Sequence, residues 1–238
     1  TEVEILDEGN IVKGLKKGTV TTNDGIIINS DKFFYNKNKN FLITEGNVEI
    51  IDTIKNIKIF SNKLTYDKSK EIITTNGNVK FIDIIQNIII LSDEAIYEKD
   101  KEIISTNKNS KAIYEKNKII TATRFNYSKK KNILIASGDV RAEDKIKNHI
   151  IETEILTYYK NIEKITTQGR TKSFIQSKYE IDSSDITYLI NKNHLSSNKK
   201  TKIINNNSQI YNLDQFDYSI NQEIIKGEQI LIVTNYNK

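Results

Sequence analysis

The feature that most constrains this chain is a tyrosine that returns every 30 or 31 residues, at Tyr35, Tyr66, Tyr97, Tyr127, Tyr158, Tyr188 and Tyr218. A period of that size, held by one aromatic while the polar residues between drift, indicates stacked units that bury their faces only against their neighbours. Three more columns keep step with it. Two residues before the tyrosine stand Phe33, Leu64, Ala95, Phe125, Leu156, Ile186 and Phe216. Seven before it stand Ile28, Ile59, Ile90, Ile120, Ile151 and Ile181, and seven after it Leu42, Ile73, Ile104, Leu134, Ile165, Leu195 and Ile225. Every member is apolar.

Within a copy the pattern alternates with period two, which is a strand signature and incompatible with a helix face. Leu64 and Tyr66 share one face against Lys63, Thr65 and Asp67; after a polar turn, Ile73, Thr75, Gly77, Val79 and Phe81 share one face against Ile72, Thr74 and Asn76. Upstream, Ile57, Ile59 and Ser61 have the opposite parity to Leu64, so the inward register shifts by one residue near Ser61 or Asn62, and a bulge or corner is expected there. Eleven residues after the tyrosine stand Gly46, Gly77, Gly138 and Gly169, followed two residues later by Val48, Val79 and Val140 in the first three of these. An inward glycine marks a tight bend or a lining that leaves space beside it. The third copy has Lys108 in that slot, where local irregularity is expected. Asn23-Asp24-Gly25 reads as a tight hairpin turn.

The expected fold class is all-β: an elongated, twisted β-jelly roll of stacked antiparallel strands built from about seven repeats. Residues 1–18 read as an irregular terminal segment and residues 19–238 as one repeat domain. Hydrophobic residues make up 37% and charged residues 28% of the chain, which favours a thin core between two sheet walls over a three-layer one. The formal charge of +5 and pI near 9.0 come largely from lysines in the turns, such as Lys37, Lys68 and Lys129. The ordinary meaning of turn lysines is solvation; a rim that meets an anionic ligand is the sharper alternative. No apolar run reaches the 18 residues of a membrane-spanning helix, and the chain starts at Thr1 without methionine, as expected of a processed or excised piece.

The sequence offers little for catalysis. His149 and His194 each stand alone in strand-like segments, there is no cysteine, and Asp31, Asp93 and Asp185 read as turn or edge residues. No enzyme, metal or cofactor is expected. The tyrosine column could be imagined as a stacking platform for nucleic acid, but it shares the parity of Leu and Phe and reads as core, so no nucleic-acid partner is expected.

The pattern S-D-K-F-x-Y-N-K in Ser30 to Lys37, with I-T-T-N-G-N-V in Ile73 to Val79 and I-A-S-G-D-V in Ile135 to Val140, resembles the OstA-like domain of the lipopolysaccharide transport proteins. By order and length it is most similar to the amino-terminal periplasmic domain type of the assembly protein LptD. The resemblance implies a jelly roll whose apolar interior holds lipid A acyl chains, at the periplasmic face of the outer membrane of a Gram-negative bacterium. The implied lining is Ile28, Phe33, Tyr35, Leu42, Val48, Ile59, Leu64, Tyr66, Ile73, Val79, Ile90, Tyr97, Ile104, Ile120, Phe125, Tyr127, Leu134, Val140, Ile151, Leu156, Tyr158 and Ile165. It also implies an edge around Thr19, Val20, Ile26 and Ile28 that accepts a strand from an LptA-like bridge protein, and, in a longer protein, an LptD barrel with an LptE-like lipoprotein. This chain departs from the pattern in having neither barrel nor cysteines. Full burial of an acyl chain contributes about 0.8 kcal/mol per CH2, too much for a conduit that must release several, so an open seam is expected. A structural β-solenoid stalk or adhesin segment, and a free-standing LptA-like bridge, are the competing readings.

Overall fold

A computed structural model of the chain describes residues 2–115 and 117–233. The described elements are strands and three single-turn 3-10 segments, and the strand ladders are antiparallel. The chain divides into two compact units, Thr1–Glu115 with Ser128–Lys130, and Lys116–Tyr127 with Lys131–Lys238, where one domain was expected.

Unit one holds β1 (Val3–Leu6), β2 (Ile11–Gly14), β3 (Gly18–Thr21), β4 (Ile26–Ser30), β5 (Lys32–Asn36), β6 (Phe41–Asp52), β7 (Ile57–Asp67), β8 (Ile72–Asp83), β9 (Ile88–Glu98), β10 (Ile103–Asn107) and β11 (Ser110–Tyr114). The segment before residue 19, expected to be irregular, carries β1 and β2, which extend the sheet through β5. The four long strands β6 to β9 each cross from one wall to another. In the first wall the neighbours run β1, β2, β5, then the near halves of β6 to β9, then β10. In the second they run β3, β4, the far halves of β6 to β9, and β11.

Unit two repeats the plan with β12 (Lys118–Ala122), β13 (Arg124–Ser128), β14 (Ile133–Asp144), β15 (His149–Tyr159), β16 (Lys164–Ile175), β17 (Tyr179–Ser184), β18 (Thr187–Leu189), β19 (His194–Ser197), β20 (Thr201–Asn205), β21 (Ile210–Leu213), β22 (Gln215–Ser219), β23 (Ile224–Glu228) and β24 (Leu231–Val233). One wall ends β16, β18, β19, β22, β23 and the other β16, β17, β20, β21, β24. Thr234, read as the end of the last strand, lies outside the described residues.

The corner lies where the parity shift places it. In β7 burial alternates through Ile57, Ile59 and Ser61, pauses at Asn62 and Lys63, and resumes at Leu64, while the β7–β8 register breaks between Phe60 and Lys63. The facing strand absorbs the bend at Gly77-Asn78, both with positive φ (78° and 51°). A Cβ on Gly77 would come within 2.7 Å of Asn62 and one on Gly46 within 2.6 Å of Asp31, so these glycines answer a bend and a close approach; Gly77 does not open the lining. With Lys108 and Asn109 in those slots the strand breaks outright into β10 and β11.

A column of small hydroxyls five residues before the tyrosine stitches the bend. Ser30, Ser61 and Ser92 each donate to the carbonyl two residues on, at 3.2, 3.1 and 3.0 Å, and Thr153 sits 3.0 Å from the Thr171 hydroxyl. Backbone carbonyls freed from the ladder at a bend are costly unless bonded, and these side chains bond them.

Candidate functional site

The apolar columns meet inside the folded sheet. In unit one Ile28, Leu42, Val48, Ile59, Leu64, Tyr66, Ile73, Val79, Ile90, Tyr97 and Ile104 are buried; in unit two Ile120, Phe125, Tyr127, Leu134, Val140, Ile151, Leu156, Tyr158 and Ile165 are buried. Phe33 and Tyr35, on β5 near the amino-terminal end of the first wall, are half-buried. The lining residues are covered by one another and by the opposite wall, so the open seam expected from the release argument is not the state seen here. The polar inward residues are mostly small hydroxyls, among them Thr44, Thr75, Thr106, Thr167 and Ser173.

The tyrosines do more than fill space: several reach the other wall. Tyr97 lies 6.3 Å from the Phe81 ring and its hydroxyl is 3.4 Å from Asp52 Oδ2; Tyr188 reaches His149 Nδ1 at 3.1 Å; the Tyr218 ring meets Tyr179 edge-on at 5.4 Å. Tyr66 donates instead to Glu71 at 3.1 Å. Burial, assisted by Glu71 and Asp52, pushes the Tyr66 and Tyr97 hydroxyls well above the ordinary tyrosine range; burial with Asp144 does the same for Tyr188, and burial with Tyr179 and Glu223 lifts Tyr218 to about 12. They stay neutral, so the interior carries no tyrosinate charge.

Charge lies on the outward faces of the strands, as in the Lys63–Glu45 and Arg170–Asp182 pairs, and in the two rows of turns that rim the walls. Lys55 pairs with Glu102 at 2.6 Å, Lys129 with Asp83 at 2.7 Å, Lys178 with Glu223, and Lys118 stands 4.0 Å from Glu163. Lys99 pairs with Asp24 and, at 3.1 Å, with Glu71. Burial works against its charge, but the two carboxylates outweigh this and hold the ammonium above the ordinary lysine value. Lys147 donates to Asn193 Oδ1 at 2.6 Å and to the Ile190 carbonyl at 3.1 Å. Turn lysines that the sequence leaves as solvated surface are thus partly spent on carboxylates of the other row.

The lone histidines take no catalytic geometry. His149 is buried against Tyr188, and burial, partly opposed by Asp144 and reinforced by Lys147, lowers its pKa to about 4; His194 lies 2.9 Å from Asp217 on the neighbouring strand. Asp31, Asp93 and Asp185 hold the corners: Asp31 and Asp93 accept from Asn47 and Asn109 at 2.7 and 3.0 Å, and Asp185 accepts from the Gly169 amide at 2.9 Å.

The expected partner edge needs correction. β4 is paired on one side with β3 and on the other with β6, so Ile26 and Ile28 are interior strand residues, both fully buried. Thr19 and Val20 do lie on β3, which pairs with β4. Among the described residues, the strands laddered on one side only include β1 and β3 in unit one and β23 and β24 in unit two, and the apolar residues of β1 and β24, including Val3, Ile5, Leu231 and Ile232, are exposed. Unpaired edges with apolar faces are sites for strand addition.

Fold and interior together define an all-β repeat protein with a folded antiparallel sheet around an apolar lining. No protein-family model matches the chain, and no curated protein matches it. Among solved structures, one similar to it is LptH, the LptA homologous periplasmic component of the conserved lipopolysaccharide transport device from Pseudomonas aeruginosa, with 16% sequence identity and a TM-score of 0.44 over 49% of this chain and 87% of that one.

Proposed function

We propose that this chain carries the acyl chains of lipopolysaccharide between its two walls as part of a periplasmic transport bridge. The carrying observation is that inward positions along consecutive strands of each unit are mostly apolar or small hydroxyls, while charge lies mainly on the outward faces and at the rims. The OstA-like spacing of the motifs supports the same reading. The role we favour is the LptD-type amino-terminal domain at the periplasmic face of the outer membrane, continued in a longer protein by a barrel that works with an LptE-like lipoprotein. An LptA-like bridge would then add a strand at the β1 or β3 edge, bringing its own apolar lining against Val3 and Ile5. A free-standing bridge shares the lipid chemistry and differs in having no barrel downstream. The stalk reading draws on the burial of the lining by its own side chains, and one measurement separates it from transport. A photo-crosslinker at the half-buried Tyr35 or Phe33 should label lipopolysaccharide, while one at the outward Thr65 or Thr74 should not. Equal labelling at both parities, or none at either, overturns the lipid reading.

A further inference from the structure

The contacts between the rims follow a rule. Lys55 to Glu102, Asp83 to Lys129, Lys147 to Asn193 and Lys178 to Glu223 join residues 45 to 47 positions apart, one and a half periods, which is the separation that sets a turn of one row across from a turn of the other. The position five residues after each tyrosine supplies the second observation. It holds Asn40, Glu71, Glu102, Asn132, Glu163, Asn193 and Glu223, and all seven have positive φ. Asn suits that conformation; Glu suits it less well, although Glu71 and Glu163 each accept from the tyrosine five residues earlier, at 3.1 and 3.2 Å. Yet each of the four glutamates takes a lysine: Glu102, Glu163 and Glu223 from the opposite row, and Glu71 from Lys99, which also holds Asp24 of the opposite row. At Glu102, Glu163 and Glu223 a residue poorly suited to the backbone bridges the rims directly, and at Asn193 a well-suited one does so through Lys147.

We infer that these rim pairs are latches that hold the two walls closed over the apolar interior, and that contents enter when they part. The closed lining and the bridged rims are then one state of a hinged sheet whose bend is the glycine-serine corner. The buried pair Asp83–Lys129, with side chains 0% and 11% exposed, is the firmest latch; Lys178–Glu223, 44% and 53% exposed, is the loosest and parts first. The inference rests on the lipid reading for what enters, not for how the walls part.

The test uses a neutral apolar dye, N-phenyl-1-naphthylamine, whose fluorescence rises on leaving water. The chain has no cysteine, so Lys55→Cys with Glu102→Cys, and separately Lys178→Cys with Glu223→Cys, can be joined by a bis-maleimide with a cleavable disulfide spacer. Dye uptake should fall on tethering and return on cleavage within one folded sample. Lys55→Glu alone should raise uptake about fivefold, the usual scale for one partly exposed ion pair, and adding Glu102→Lys should bring it back. Equal uptake by tethered and cleaved protein, or failure of the charge swap to reverse the single change, overturns the latch. If the latch holds but a crosslinker at Tyr35 in the cleaved protein labels no lipopolysaccharide, the lipid reading fails and the latch stands.

Discussion

At the scale of single residues, His149 gives the chain a built-in acid sensitivity. Its imidazole is 3% exposed, bonded through Nδ1 to Tyr188, with no partner at Nε2. The folded state holds its pKa near 4, below the ordinary value of 6.5, so between those pH values the unfolded chain binds a proton that the folded chain refuses. Stability from this group is therefore complete above pH 6.5, falls as pH drops towards 4, and levels off below. The loss amounts to about 3 kcal/mol, since each tenfold weakening of proton affinity on folding corresponds to about 1.4 kcal/mol. Urea melts at pH 7.5, 5.5 and 4.5 should show this slope, and His149→Phe should flatten it relative to the parent. Nothing in the sequence distinguishes this histidine from His194, since its burial depends on Tyr188 crossing from a strand 39 residues away.

At the scale of elements, the bend within each long strand is the part most legible beforehand. A one-residue change of parity at Ser61 can be read from the alternation of Ile59 and Leu64, because burial of either face fixes the register. The glycine opposite it is legible as a bend or as a gap, and the 2.7 Å approach to Asn62 decides for the bend. Gly77→Ala should cost about 2 to 3 kcal/mol, combining strain at positive φ with the clash, and Gly169→Ala, which meets nothing within 4 Å, about 1 kcal/mol. Thermal melts of the two variants check the order; equal losses would mean that the close approach is relaxed by movement of Asn62. The short strands β1 and β2 were not legible. Val3–Leu6 is exposed throughout, so no alternation of burial constrains its sequence. The rim pairs escaped for a different reason. Partners one and a half periods apart do not align in any column, and only the facing of the walls brings them together.

At the scale of the whole molecule, the repeat makes length a variable that can change in fixed increments. Residues 154–183 form one period of unit two, and removing them takes two strands from each wall while leaving Thr153, a corner hydroxyl, in the place of Ser183, another. Lys147 would then face Glu223 in place of Asn193, exchanging a neutral partner for a carboxylate in the same slot. The shortened chain should keep its β circular dichroism and melt cooperatively. Removing 154–168 alone takes both strands from one wall, leaves an apolar face uncovered on the other, and should raise dye binding and aggregation. Each whole period contributes about 10 Å along a wall, two strand spacings of roughly 4.8 Å. A gene encoding such a sheet can therefore tune the width of its walls by duplicating or losing segments of one period, keeping every bend and rim contact in phase, much as a ladder is lengthened by whole rungs.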